Sequence, residues 1–248
     1  MTLNNQPSNI RFDILTIFPD YFESPFRNSL LSKGIKNKII DIGIWDIRKF
    51  GKGRHKQVDD RPFGGGPGMV LRADILQCAL KNTVDTVKNK FKLKKPPYVI
   101  SLDPSGIPLK QRRAIKLAEK SWVILICGHY EGIDERFKEL FVNEEISIGD
   151  YVLNGGEAAA LVLIETISRL IPGFLGKKES LISESFSEVL IDGKKVSTLD
   201  YPSFTRPEIF AGENVPKVLL SGNHKQIEKW RTEQSLIKTR KKRPDLLI

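Results

Sequence analysis

Apolar and polar positions alternate from Arg11 to Phe18, which predicts a strand that Pro19 ends. Helical spacing over Tyr21–Lys33 predicts a short helix, with Gly34 as its stop. Ile39–Trp45 reads as a second strand, and Ala73–Lys90 returns to a spacing of about 3.6 residues. A basic linker, Lys92–Pro97, leads to a third strand at Tyr98–Leu102. An amphipathic helix at Gln111–Lys120 precedes a fully apolar strand at Trp122–Cys127. A further run at Glu145–Ile148 and an alanine-rich apolar helix at Glu157–Ile167 complete the pattern. Strands alternating with helices predict an α/β domain with a mainly parallel sheet, running to about Gly176.

Three of these strands end in turns that carry glycine. Asp103-Pro104-Ser105-Gly106 follows Leu102, Gly128-His129-Tyr130-Glu131-Gly132 follows Cys127, and Gly149-Asp150-Tyr151 follows Ile148. Gly155-Gly156 then opens the alanine-rich helix. Glycine at a strand end lets main-chain amides approach a ligand closely. Ligands of open α/β sheets sit at the C-terminal ends of the strands. Neighbouring strands would bring these turns together as one site, able to recognise a base such as adenine through main-chain groups.

Outside this domain the pattern weakens. Residues 1–9 are polar and predict a loose tail. Residues 177–200 are rich in Lys, Ser, Glu, Asp and Gly and predict a mobile linker. From Tyr201 a small, helical domain is expected, ending in the basic run Lys238–Arg243. Residues 201–248 hold ten Lys and Arg against five Asp and Glu, so half of the net charge of +10 lies in about a fifth of the chain. That asymmetry points to a nucleic-acid face. The two cysteines, Cys78 and Cys127, form no CxxC spacing, and so make neither a zinc site nor a disulfide framework. No stretch approaches the ~18 consecutive apolar residues of a membrane span. A soluble protein of the reducing cytoplasm is expected.

Arg48–Met69 is too long and too rich in glycine for an ordinary connection. Its Gly64-Gly65-Gly66-Pro67-Gly68 fits neither GxxxxGK[ST] nor GxGxxG. Asp59, Asp60, Arg61 and Arg72 flank it, so it reads either as a loop closing over a substrate or as a solvated loop. Asp134 and Glu135 suit a helix N-terminus. Arg169 follows the apolar helix, where a cation is ordinary, although beside a site it is also a natural electrophile. Glu184 is an acid in the linker.

The motifs DDRPFGGGPGM, CGHYEGIDER, SIGDYVLNGGE, SRLIPGFLG and LLSGNHKQIEKWR resemble, in order, those of bacterial tRNA (guanine-N1)-methyltransferases of the TrmD type. The resemblance spans Phe12 to Leu247. It implies the SPOUT fold, whose sheet is tied into a deep trefoil knot, an exception to the usual topology rules. It also implies transfer of methyl from S-adenosylmethionine to N1 of guanosine 37, just 3′ of the anticodon, by a homodimer. The family's cofactor loops correspond to Leu102 and Pro104; to Gly128, Tyr130 and Glu131; and to Ile148, Gly149, Asp150, Tyr151, Val152, Leu153, Gly155 and Gly156. Asp59, Arg61 and Gly68 would border the target, while Arg206, Lys241 and Arg243 would hold the anticodon branch. Family members are also described as using Mg²⁺, for which nothing in the sequence marks a site.

Arg169 matches the family's arginine, and Glu184 stands where the family usually has an aspartate. The resemblance makes Glu184 the general base for the N1 proton and Arg169 the group that stabilises charge on O6. Two other functions fit the same residues. One is an RNA-binding protein on this fold without catalysis, for which the departure at Glu184 is the support. The other is a SPOUT enzyme that acts on a different RNA or on a ribose hydroxyl.

Overall fold

The computed structural model describes residues 7–93, 95–176, 184–191 and 193–247. The chain divides into two compact units, 2–176 and 177–248. The first unit runs β1 (Ile10–Thr16), α1 (Glu23–Arg27), α2 (Ser29–Lys36), β2 (Ile40–Asp46), β3 (Asp59–Asp60), β4 (Val70–Leu71), α3 (Ala73–Phe91) and β5 (Tyr98–Pro108). It continues through α4 (Gln111–Leu117), β6 (Trp122–Cys127), α5 (Glu135–Phe141), β7 (Glu144–Ser147) and α6 (Glu157–Ser168).

Five strands form one sheet in the order β2-β1-β6-β5-β7, and each pairing is parallel. The parallel α/β architecture read from the alternation is therefore present. All six residues of β6 are buried, as expected of a central parallel strand covered on both faces. On one face Leu15, Trp122, Ile124 and Ile126 join Ile75 and Leu76 of α3 and Phe137 of α5 in a single core cluster. The apolar side of α6, with Leu163, Ile164 and Ile167 buried, packs on β1 and β6.

One polar cluster ties three adjacent strands together. The fully buried Asp13 carboxylate accepts from Arg11 Nε at 2.7 Å and Nη2 at 2.8 Å. It also accepts from Trp45 Nε1 at 2.7 Å and Trp122 Nε1 at 2.8 Å. The ion pair and the two indoles together satisfy a charge that would otherwise be prohibitive in a core.

Two local expectations are corrected. Gly34 does not stop a helix, because α2 runs on to Lys36. A Cβ at Gly34 would lie 2.6 Å from the Phe174 ring, so the glycine serves close packing. The turn expected at 103–106 is a bulge inside β5, since Leu102 and Ile107 both pair with Ile146.

The second unit also departs from expectation. Residues 177–183 and 192 lie outside the described residues, and the described part of the expected linker forms regular structure. β8 (Ser187–Ile191) and β9 (Lys194–Thr198) form an antiparallel hairpin. Asp192-Gly193 between two β-prone segments is a hairpin signal that the polar composition obscured. The remainder is not wholly helical: β10 (Ile209–Phe210) pairs with β11 (Glu213–Asn214) before α7 (Lys217–Leu220) and α8 (His224–Lys242). Asn223 caps α8 by accepting from Gln226 N–H, and the last turn carries Arg240, Lys241 and Lys242. The exit of β9 is clamped to α8. Leu199 N–H donates to the buried Thr239 hydroxyl at 2.9 Å, and the Ser235 hydroxyl donates to Leu199 O at 2.5 Å.

Candidate functional site

Because β5, β6 and β7 are parallel neighbours, their C-terminal ends share one edge of the sheet. The loops leaving that edge enclose a cavity of about 260 Å³. Leu102, Pro104, Gly128, Tyr130, Glu131, Ile148, Gly149, Tyr151, Val152, Leu153, Gly155 and Gly156 all line it. Asp150 does not. Tyr151 N–H donates to Gly149 O at 2.9 Å, closing a tight turn with Asp150 exposed at its corner.

The walls are largely main chain. Gly156 N–H donates to Gly128 O at 2.9 Å, and a Cβ on Gly156 would fall 2.7 Å from Cys127 Cα. The start of α6 thus rests directly on the end of β6. Tyr130 adopts φ of +60°, a left-handed conformation uncommon for an aromatic residue, at the corner that turns the chain around the cavity. The Tyr151 hydroxyl donates to Ile148 O at 3.2 Å.

Polar side chains brace these loops. Glu157 is buried at the start of α6, where its carboxylate accepts from the Thr16 hydroxyl at 2.6 Å. His129 Nε2 lies 4.0 Å from the same carboxylate, and its ring lies 4.9 Å from that of Phe18. Burial pushes the Cys127 thiol up, and the charge of Glu157 pushes it further, so this cysteine is a packing residue and not a nucleophile. Burial alone would also raise Asp103. Hydrogen bonds from the Ser105 N–H and hydroxyl, with Lys138 nearby, hold it below its ordinary value.

The glycine loop adjoins this site. Glu131 N–H donates to Met69 O, and Leu71 N–H donates to Gly132 O, both at 2.9 Å. Gly68 sits against the Glu131 side chain, where a Cβ would meet Oε1 at 2.3 Å. Asp59 pairs with Leu71 in the β3–β4 ladder. Arg61 and a 97% exposed Phe63 border a groove of about 930 Å³ on this side. Asp134 caps α5, its carboxylate accepting from Arg136 N–H at 3.0 Å.

The other expected residues lie elsewhere. Arg169 ends α6 and lines a separate hollow of about 420 Å³ with Ser29, Glu165 and Phe174. Glu184 belongs to the second unit and lines a cavity there of about 490 Å³. Arg206 is exposed before a cis Pro207, Lys241 is exposed on α8, and Arg243 pairs with Asp245 at 2.6 Å. No group of three or more His, Cys, Asp and Glu side chains among the described residues forms a metal site. No helix among them is long and apolar enough to cross a membrane.

Sequence reasoning missed Thr16, Phe18, His129 and Glu157 as a bracing set. Glu157, directly after Gly155-Gly156 and at the head of an apolar helix, was the available signal.

Comparison with known proteins gives a consistent result. The family model described as tRNA (Guanine-1)-methyltransferase TrmD matches residues 10–248. A tRNA (guanine-N(1)-)-methyltransferase of Pelotomaculum thermopropionicum is 46% identical over 238 residues, covering 96% of this chain and 90% of that protein. Its namesake in Syntrophomonas wolfei is 47% identical over 239 residues, covering 96% and 91%. That of Listeria monocytogenes is 44% identical over 238 residues, covering 96% and 92%. On this match, which takes in both units, the chain belongs to the TrmD family of tRNA (guanine-1)-methyltransferases.

Proposed function

We propose that this protein methylates N1 of guanosine 37 in tRNA, using S-adenosylmethionine bound among the loops after β5, β6 and β7. The observation that carries the reading is the glycine-walled cavity at that sheet edge, in a chain 44–47% identical to proteins named for the reaction. The residues present fit the cofactor. Gly128, Gly149 and Gly156 keep that part of the wall free of side chains, while Leu102, Ile148 and Leu153 offer apolar faces.

When bound, the cofactor supplies an electrophilic sulfonium methyl, so the chain needs no nucleophile of its own. Its task is to make N1 nucleophilic. Guanine N1 carries a proton at neutral pH. Glu184 accepts that proton as the N1–carbon bond forms, a contribution of roughly 10²–10⁴-fold. Arg169 donates to O6, where negative charge develops. The target base leaves its stack to be reached. Asp59, Arg61 and Gly68 border it, and Arg206, Lys241 and Arg243 hold phosphates of the anticodon branch.

The active form is a cytoplasmic homodimer, for which Phe18, Tyr130, Tyr151 and Val152, exposed apolar residues near the cavity, supply a contact face. The sheet is expected to carry the family's trefoil knot.

The test is methyl transfer from labelled cofactor to unmodified tRNA, followed by nucleoside digestion. N1-methylguanosine is expected; a 2′-O-methyl nucleoside or no label would overturn the reading. Glu184→Gln and Arg169→Ala should each lower turnover at least 10²-fold with cofactor affinity unchanged. Full activity of Glu184→Gln would move the base elsewhere.

A further inference from the structure

One ammonium group ties together the segments that wall the cavity at the sheet edge. Lys138 lies on α5, with only 10% of its side chain exposed. Its Nζ stands 2.8 Å from Glu135 Oε2, 2.9 Å from Glu145 Oε2 and 3.7 Å from Asp103 Oδ2. These carboxylates belong to different elements. Asp103 opens the bulge of β5, Glu145 stands in β7, and Glu135 begins α5, which follows directly on the loop after β6. Leu102 and Pro104 beside Asp103, Ile146 beside Glu145, and Ile133 just before α5 all line the cavity of about 260 Å³.

The bulge depends on such a tie. Leu102 and Ile107 both pair with Ile146, so residues 103–106 leave the ladder. At the far end of the bulge Gly106 rests on β7, where a Cβ would fall 2.5 Å from the carbonyl carbon of Glu145. At the near end, the bonds that Asp103 accepts from the Ser105 N–H and hydroxyl lie within the bulge itself. Lys138 reaches Asp103 from another element. Burial alone would lower the Lys138 ammonium. Its bonds to Glu135 and Glu145, with the charges of Glu145 and Asp103, raise it instead, so it stays a cation. Without that cation Asp103, Glu135 and Glu145 would face one another, and like charges would push β5, β7 and α5 apart.

We propose that Lys138 is a positioning residue for the cofactor, setting the distance between the walls of its cavity by holding Asp103 and Glu145 to α5. Lys138 itself does not line that cavity, so it acts through these partners. This rests on the cofactor site proposed above and extends it to how the site keeps its shape. Glu135 supplies the control. It binds the same ammonium, but it lies on the same helix, so its bond ties no second segment.

The experiment measures S-adenosylmethionine affinity by calorimetric titration, and amide hydrogen exchange between residues 102 and 107 in the cofactor-free protein. The wild type is compared with Lys138→Met, Lys138→Arg and Glu135→Gln. Lys138→Met, which keeps an unbranched stem and removes the charge, should weaken affinity about tenfold and speed exchange in the bulge. Lys138→Arg restores a cation and should recover most of both, while Glu135→Gln should match the wild type. In an Asp103→Asn background Lys138→Met should cost less, because the contact it removes is already broken. Wild-type affinity in Lys138→Met, an arginine variant no better than the methionine variant, or an undiminished loss in the Asp103→Asn background would each overturn the inference. So would a lowered melting temperature with unchanged affinity, which would make Lys138 a stabilising residue only. If the methionine variant does not fold, Asp103→Asn alone decides: it breaks the same tie, and wild-type affinity there would refute the role. A wild type that binds no S-adenosylmethionine would instead count against the proposed cofactor site, and the exchange rates would still judge Lys138.

Discussion

Replacing Gly156 with alanine sets two effects of known sign against each other. Gly156 has φ −78° and ψ −7°, an ordinary right-handed conformation, so the backbone tolerates alanine. Reduced freedom of the unfolded chain would then stabilise the variant by about 0.4–1 kcal/mol. Against this, the new Cβ would lie 2.7 Å from Cys127 Cα and 3.0 Å from Gly128 N. Carbon atoms prefer about 3.5–4.0 Å, so the overlap approaches ~1 Å. It falls on the main chain of a fully buried central strand, where no rotamer can yield. Overpacking of this kind costs about 1–3 kcal/mol, and a main-chain clash belongs in the upper half of that range. The net expectation is a loss of about 1–2.5 kcal/mol, or about 3–8 °C in melting temperature for a protein of this size. Relief of the clash would also lengthen the 2.9 Å bond from Gly156 to Gly128 that closes the cavity. A displacement of ~1 Å in a site that holds its ligand by main chain should weaken cofactor affinity about 10–100-fold. Calorimetric titration of S-adenosylmethionine and thermal melting read the two effects. Gly176→Ala is the control, since nothing lies within 4 Å of a Cβ there. A Gly156→Ala protein with wild-type melting and cofactor affinity would refute the close approach of α6 to β6.

Asp13→Ala leaves Arg11 and two indole N–H groups without their buried acceptor. It should cost about 3–5 kcal/mol and lower the melting temperature by about 10 °C or more in circular dichroism, while a change below about 2 °C would show the cluster to be dispensable. Asp103, held below its ordinary value, contributes stability that is complete above the unfolded carboxylate pKa of about 3.9 and is lost as pH falls through its lowered folded value. Ser105→Ala removes one of the hydrogen bonds responsible, so it should be less stable than wild type by about 0.5–1 kcal/mol at pH 7, with the gap closing as pH falls through the lowered value of Asp103. A gap in melting temperature that stays constant from neutral pH down to acid unfolding would mean that Ser105 acts through packing and not through the charge of Asp103.

Local patterns carried much of this molecule. The continuous apolar run of Trp122–Cys127 can only be a strand covered on both faces, and its neighbours alternate with helices, so a parallel sheet follows. Glycines placed where strands end marked Gly128, Gly149 and Gly156 as cavity walls, and at Gly156 the reason is that the end of β6 leaves no room for a side chain. The motifs, read in order, indicated the family before any coordinates. Register and packing were not legible in this way. That residues 103–106 bulge within β5 depends on pairing with Ile146, which no local pattern contains. Asp150 lies in the right stretch but at the corner of a turn, and a hydrogen bond two residues long decides that. The hairpin at 187–198 was hidden by polar composition, since its strands gain order from pairing with each other and from the clamp of Leu199 on α8. Asp200 and Glu157 look like ordinary surface acids in sequence. Whether a carboxylate is buried, and whether it finds a donor, depends on residues remote along the chain: Thr16 reaches Glu157 across 141 positions, and among the described residues none reaches Asp200 Oδ1. Local sequence determines which elements form because their hydrogen bonds and periodic faces are local; the partners of a buried charge are not, so only the tertiary structure decides them.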